Sequence, residues 1–134
     1  IDRLKIDKLI IPSSLDYSIV NVIDQIKELV AFFNASLEVV YVNTPNSFKS
    51  SEEIETFWRN FKKIHGLENI SLSVHNDYSI KKGIVKYAKN NGIDLILLTS
   101  RHSNKPLSLL SGDITEYIVN HESQPVLTFN LKRQ

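Results

Sequence analysis

Five short apolar runs alternate with segments of helical period along this 134-residue chain, and this alternation constrains the fold more than any other feature. Strands that are joined by helices run parallel, because each helix carries the chain back across the sheet in a right-handed crossover. The predicted strands are Leu9–Ile11, Leu37–Val42, Ile70–Val74, Leu95–Leu98 and Pro125–Leu131. The sequence therefore predicts one α/β domain over residues 1–134, with helices on both faces of a parallel sheet.

Four segments have the apolar spacing of three and four residues that is typical of amphipathic helices. Asp16 is the predicted N-cap of the first, and Ser50 with Glu53 forms a capping box at the start of the second. The first helix is predicted over Ile19–Phe33, the third from Ile80 to near Asn91 and the fourth over Asp113–His121. The predicted buried stripe of the second helix consists of Ile54, Phe57, Trp58, Phe61 and Ile64.

The composition of the strands predicts their order. A parallel strand that is covered on both faces reads as a continuous apolar run, whereas an edge strand can alternate between apolar and polar residues. The first, second and fourth runs are nearly continuous. In the third, Leu72 and Val74 alternate with Ser73 and His75, which predicts one solvated face, and the fifth includes Thr128 among apolar residues. We therefore predict a Rossmann-like, doubly wound five-stranded sheet with the order 3-2-1-4-5.

The candidate binding pocket lies between the first and fourth strands, where the chain reverses direction. Open α/β sheets bind ligands at the carboxyl ends of the strands at such a point. Pro12, Ser13 and Ser14 follow the first strand, and a long loop from Thr99 to Asp113 follows the fourth. These two segments are the predicted walls of the pocket.

Four segments of the chain resemble, in order and spacing, conserved stretches of the universal stress protein family. Ile11–Asp16 resembles the family's first strand and its Pro-Thr-Asp-Phe-Ser-like turn, and Asp94–Leu98 resembles an Asp-Leu-Ile-Val-Met strand. Gly112–Glu116 resembles Gly-Ser-Val-Thr-Glu, and Gln124–Leu127 resembles the closing Cys-Pro-Val-Leu strand. The resemblance covers essentially the whole chain and implies a stress-response domain.

Members of that family that bind ATP carry the pattern Gly-x2-Gly-x9-Gly-Ser/Thr after the fourth strand. The corresponding positions here are Thr99, His102, Gly112 and Asp113, so the third glycine alone is kept. The family's acidic residue after the first strand corresponds to Ser14. The resemblance therefore implies a degenerate nucleotide-binding site.

These substitutions are expected to disfavour phosphate binding. Glycine lets a main chain approach a phosphate closely, whereas Thr99 and His102 are expected to crowd that approach. Asp113 and Glu116 form a pair that resembles a capping box, so a carboxylate of the protein would occupy the helix N–H groups that otherwise bind an anion. We expect a pocket closed to ATP and no cofactor. The alternative is ATP or AMP binding with a changed phosphate grip, with Mg²⁺ bridging Asp113 and the phosphates.

Arg101, His102 and Lys105 form a basic cluster on the same loop. One interpretation is an altered anion site that uses side chains, and the other is a solvated loop in which Arg101 pairs with Asp113. Elsewhere the sequence shows no metal-ligand spacing, no cysteine and no nucleophile with an assignable base, so we expect neither a metal site nor catalysis.

Charge and hydropathy exclude several partners. The net charge of +1 and the predicted solvated face of Lys82, Lys86 and Lys89 argue against a nucleic-acid partner. No apolar run reaches the length of a membrane span, so a cytoplasmic protein is expected. Since the chain contains no methionine, we expect a fragment of a longer polypeptide.

The last strand, Val126–Leu131, is apolar and lacks a blocking charge before Lys132, which is hazardous at an exposed sheet edge. Family members often dimerise through this strand, so the resemblance implies a homodimer or a tandem sister domain paired along this edge. Other protein partners are unknown. The sequence thus predicts a dimerising regulatory module that does not bind ATP, with a nucleotide-binding domain as the alternative and a weak ATPase as a distant third.

Overall fold

The computed structural model describes residues 5–15, 19–67, 70–101, 112–121 and 125–131. Strands and helices alternate throughout these ranges, as the sequence predicts. The strands are β1 (Lys8–Pro12), β2 (Ser36–Asn43), β3 (Ser71–Asn76), β4 (Leu95–Arg101) and β5 (Val126–Leu131). The helices are α1 (Val20–Phe33), α2 (Ser51–His65), α3 (Ile80–Asn90) and α4 (Gly112–His121), and a short 3₁₀ turn covers Pro45–Ser47.

All strand pairs in the sheet are parallel, and the order is β3-β2-β1-β4-β5, which confirms the predicted fold. β1 is central: Ile10 lies opposite Glu38 of β2 on one side and Ile96 of β4 on the other. The two strands that the sequence predicted at the edges, β3 and β5, do lie there. The carboxyl ends of β1 and β4 therefore adjoin, as the predicted pocket requires.

Separate apolar cores cover the two faces of the sheet. Alternate residues of the central strands, such as Leu9 and Ile11, pack with α1 and α2 on one face. Their neighbours, such as Ile10, pack with α3 and α4 on the other. Fully buried side chains with under 2% exposure occur on both faces, for example Ile26 and Ile84. The central strands are thus apolar on both sides, which is why they read as continuous runs.

α1 begins later than the sequence predicts. Ile19 occupies the N-cap position and makes no side-chain cap, and Asp16 lies outside the described residues. The main-chain N–H of Ile19 instead donates to Nε2 of His65, 3.0 Å away, at the end of α2. Nδ1 of the same ring lies 2.9 Å from the carbonyl oxygen of Phe61, so the neutral imidazole donates there. A buried histidine thus joins two helices.

The capping box of α2 is confirmed, since Ser50 and Glu53 exchange hydrogen bonds of 3.0 and 3.2 Å. These bonds hold the pKa of Glu53 below its usual value. The predicted apolar stripe is wrong at one position: Ile64 is 63% exposed. His65, with 4% exposure, is the buried residue in that last turn, because its ring is needed at the start of α1.

The polar face of β3 is not the solvated face that the sequence predicts. Ser73 donates to a carboxylate oxygen of Glu38 on β2, 2.6 Å away, and Tyr87 of α3 donates to the other oxygen. Burial and the Glu38 contact raise the pKa of Tyr87. Val74, predicted to be buried, is instead 44% exposed. The alternation is real: α3 reaches the polar face at Ser73 while Ser71 stays exposed, and on the apolar face Leu72 packs against the core while Val74 is open to a groove.

The basic face of α3 is exposed at Lys82, Lys86 and Lys89. Lys86 also lies 3.5 Å from the carboxylate of Asp77, which is almost buried. None of the helices in the described ranges combines the length and apolar character needed to span a bilayer.

Candidate functional site

The turn after β1 satisfies its own polar groups. The N–H of Ser13 donates to the carbonyl oxygen of Val40 at 2.9 Å, which continues the pairing of β1 with β2. The hydroxyl oxygen of Ser13 accepts from the N–H of Leu15 at 3.0 Å, and Leu15 has a left-handed φ of 67°. Ser13 and Ser14 are 8% and 2% exposed. This wall of the predicted pocket therefore faces inward.

The cavity beside this turn is very small. Its volume is about 10 Å³, and its walls include Pro12, Ser13, Ser14, Val40 and Ile80. A single water molecule needs about 10–15 Å³ by the same kind of measure. This cavity, which borders β1, β2 and the start of α3, therefore has no space for a nucleobase, whereas residues 102–111 on the other side of the predicted pocket lie outside the described residues.

β4 continues past the predicted end of the fourth strand. Thr99 lies in the strand opposite Phe129 of β5, and the pairing extends to Arg101, so residues 99–101, which the sequence predicts in the loop, belong to the strand. Thr99 is 1% exposed, and its hydroxyl oxygen has no hydrogen-bond partner in the described structure. A buried strand residue thus occupies the position of the first motif glycine.

The remaining predicted pocket residues are only partly described. Gly112 and Asp113 are the first two residues of α4, so the helix begins one residue earlier than predicted and residue 113 lies within its first turn rather than before it. The positions of their side chains and that of Arg101 are outside the description. His102 and Lys105 lie outside the described residues altogether. The geometry of the basic cluster and of the predicted Asp113 cap therefore stays a prediction.

A larger concavity lies at the carboxyl ends of β2 and β3, which sequence reasoning missed. It consists of two adjoining cavities of about 440 and 530 Å³, hereafter the β2–β3 groove. Both cavities are lined by Asn43, Phe48 and Asn76; the first also contacts Lys49, Trp58 and Val74, and the second Asp77 and Tyr78. One signal in the sequence pointed to it: aromatic residues, Phe48 and Tyr78, occur in the connections that follow two neighbouring strands.

The order of the five parallel strands agrees with the family that the sequence resembles. The sequence model of the universal stress protein family matches residues 14–130, which is most of the chain. The chain belongs to the universal stress protein family. The resemblance drawn from four short segments is thereby confirmed.

Known universal stress proteins are moderately similar to this chain in sequence and have a similar fold. The chain is 29% identical over 106 residues to a universal stress protein of Methanocaldococcus jannaschii, and the match covers 77% of this chain and 63% of that relative. The chain thus matches less than two thirds of the relative's length. The solved structure of that protein superposes with a TM-score of 0.63 at 22% identity, covering 97% and 99% of the two chains.

Two further solved structures of similar fold are complexes with nucleotides. A universal stress protein in complex with cAMP has a TM-score of 0.68 at 16% identity, covering 94% of this chain and 98% of that one. The protein from Archaeoglobus fulgidus in complex with dAMP has a TM-score of 0.59 at 13% identity, with the same coverage of both chains. At these identities the likeness shows that this universal stress protein shares their fold.

Proposed function

We propose that this universal stress protein domain is a non-catalytic regulatory module of the cytoplasm that holds no ATP between β1 and β4. It acts by pairing with a second copy or a sister domain through β5. The observation that carries the proposal is the cavity of about 10 Å³ beside Pro12, Ser13 and Ser14. So little space at this wall supports a domain suited to protein contacts rather than to nucleotide exchange.

The hydrogen bonds of the turn support this proposal. The N–H and the hydroxyl oxygen of Ser13 are each engaged within the protein, to Val40 and Leu15. A ligand group that took the place of either partner would leave a buried donor or acceptor unpaired, at about 1–3 kcal/mol for each. These bonds therefore favour a turn whose groups stay paired within the protein.

The phosphate side of the pocket supports it as well. Thr99 and Asp113 replace two motif positions at which the ATP-binding pattern has glycine and a hydroxyl residue. Residue 113 lies in the first turn of the ten-residue helix α4, where a carboxylate interacts favourably with the free N–H groups. A phosphate would compete with that carboxylate for the same donors.

The alternative is a nucleotide-binding domain with an altered phosphate grip. The solved relatives in complex with cAMP and dAMP favour it. In that case Arg101, His102 and Lys105 would replace the missing main-chain contacts, and Mg²⁺ would bridge Asp113 to the phosphates. The two proposals differ in whether nucleotide stabilises the folded domain.

Thermal unfolding with and without millimolar Mg-ATP separates them. We expect no change in midpoint for the natural sequence. For comparison, a ligand at a hundred times its dissociation constant adds about 2.7 kcal/mol and raises the midpoint of a domain of this size by about 5–15 °C. A shift of that size would contradict the proposal and support the alternative.

A variant with two restored motif positions makes the test sharper. The double substitution His102→Gly and Asp113→Ser leaves the wall at Ser13 and the buried Thr99 in place. We expect this variant to show no shift with Mg-ATP either; a shift would show that positions 102 and 113 exclude ATP and that the wall at Ser13 does not. Asp24→Ser, which removes an exposed carboxylate from α1, is the matched control and should acquire none.

A further inference from the structure

We propose that the β2–β3 groove binds a small aromatic anion, meaning a flat apolar ring system that carries a single carboxylate or sulfonate group. The groove shares no lining residue with the small cavity beside Ser13. It lies at the carboxyl ends of parallel strands, where α/β sheets present their ligand-binding loops. The inference therefore adds a site to the regulatory module rather than reopening its closed pocket.

The apolar part of the groove is exposed to an unusual degree. Phe48 and Tyr78 are 69% and 87% exposed, and Val74 of the edge strand is 44% exposed. These are three of the eight large hydrophobic residues that are exposed in the described structure. Each cavity falls within the range of about 300–1,000 Å³ that is usual for small-molecule sites. Aromatic rings at such a site favour a flat apolar ligand that stacks on them.

Lys49 provides a positioned positive charge. Its amino group lies 5.6 Å from the ring centre of Tyr41 and 5.2 Å from that of Phe57. The main chain of Lys49 is fixed by Asn43, whose amide nitrogen donates to the Lys49 carbonyl oxygen and whose amide oxygen accepts from the Lys49 N–H. No ion pair within 4.0 Å engages this ammonium in the described ranges. It is therefore available to a ligand anion at low reorganisation cost.

The other charges of the groove limit the ligand to a single negative charge. Glu55 is paired with Arg59 at 3.0 Å, and Asp77 is engaged by His75 at 3.1 Å and Lys86 at 3.5 Å. Both carboxylates line the groove, so their fields oppose a second or third negative charge. One free ammonium and two engaged carboxylates fit a monoanion, and they disfavour the polyphosphate chain of a nucleotide.

Two fluorescent probes test the site directly. Anilinonaphthalene sulfonate is an aromatic monoanion, and N-phenylnaphthylamine has the same ring body without the charge. We expect the natural protein to bind the sulfonate more tightly than the neutral amine. Lys49→Gln should weaken the sulfonate about tenfold, the equivalent of about 1.4 kcal/mol, and leave the neutral probe unchanged. Phe48→Ala and Tyr78→Ala should each weaken both probes.

Matched controls place the effect in the groove. Phe32→Ala removes a phenylalanine that is 81% exposed on α1, and Lys89→Gln removes an exposed lysine of α3; both should bind as the natural protein does. Circular dichroism verifies that each variant is folded, and either aromatic variant alone suffices if the other does not fold. Equal affinities in the groove variants and the controls, or no binding of either probe, would overturn the proposal.

Competition with Mg-ATP separates this proposal from that of the closed pocket. We expect millimolar Mg-ATP to leave the bound sulfonate probe in place. Displacement that is lost in Lys49→Gln would show that the groove accepts a polyanion, and it would overturn the restriction to single-charged ligands. A thermal shift with Mg-ATP that persists in Lys49→Gln would bear on the pocket between β1 and β4 and leave the groove proposal intact.

Discussion

At the scale of single residues, His65 has the clearest energetic role. Its ring is buried at the junction of α1 and α2, where Nε2 accepts from the N–H of Ile19 and Nδ1 faces the carbonyl of Phe61. Only the neutral ring accepts a hydrogen bond at Nε2. Burial lowers the pKa of His65 from its ordinary value of 6.5, so the folded protein resists protonation at this site.

Stability should consequently decline in acid. A histidine whose pKa is lower in the folded state leaves the unfolded chain as the stronger proton binder. The contribution is complete above pH 6.5 and is lost progressively as the pH falls below that value. Urea unfolding between pH 8 and pH 5 measures this, and His65→Leu is the reference because it does not titrate. The stability difference between the two proteins should shrink as the pH falls.

His65→Leu itself has a defined cost at pH 8. The buried N–H of Ile19 loses its acceptor, and an unpaired buried donor destabilises by about 1–3 kcal/mol. A stability difference that stays constant from pH 8 to pH 5 would show that the ring is not held neutral by the fold.

At the scale of elements, α3 approaches the sheet at Gly83 more closely than a side chain allows. A Cβ atom added there would lie 2.7 Å from Cγ1 of Val42 and 3.2 Å from Cβ of Asp77. Glycine to alanine in a helix interior ordinarily stabilises by about 1 kcal/mol. Here the clash reverses the sign, and Gly83→Ala should destabilise by about 1–3 kcal/mol.

Denaturant unfolding of Gly83→Ala beside Lys82→Ala measures this effect. Lys82 is the exposed neighbour on the same helix, and its replacement should leave stability within about 0.5 kcal/mol. An increase in stability for Gly83→Ala would mean that α3 lies farther from β2 than the structure places it.

The elements themselves were largely predictable, because strand and helix periods and the capping box at Ser50 are local properties. The strand order also followed from the sequence, since double burial leaves a continuous apolar run. Local patterns failed where a partner distant in the chain decides the environment. Ile64 is exposed because His65 takes the buried position, and Val74 is exposed because nothing described packs over the end of β3. The groove around Phe48 was missed for the same reason.

For the candidate pocket, the residues could be predicted from the sequence, but their hydrogen bonds and strand pairing could not. The missing glycines could be read from Thr99 and His102, whereas the self-bonded turn at Ser13 depends on β2 lying beside β1. The extension of β4 to Arg101 depends on pairing with β5, which no local pattern encodes.

At the scale of the whole molecule, the edge strand β5 should determine the assembly state. β5 pairs with β4 along one side, and the sheet order leaves its other side as an edge. Neighbouring main-chain N–H groups point to opposite sides of a strand, so Thr128→Pro and Phe129→Pro each remove a donor on a different side.

One of these two variants should therefore shift the mass in solution from dimer to monomer while it keeps its fold. The other should lower stability because it breaks the ladder with β4. Light scattering and thermal unfolding distinguish the two outcomes. A monomeric natural protein at high concentration would contradict pairing through β5.

The strand order has a geometric consequence for how the domain meets its surroundings. β3 and β5 are separated by four strand spacings, about 19 Å, so pairing through one edge leaves the other edge accessible. In a dimer joined through β5, the two sheets would form a ribbon of ten strands with a groove near each end, and the grooves would lie about eight strand spacings, or about 38 Å, apart across the strands. Such a ribbon holds two binding sites at a fixed separation. Two ligands joined by a linker would bind both sites together only if the linker spans that distance.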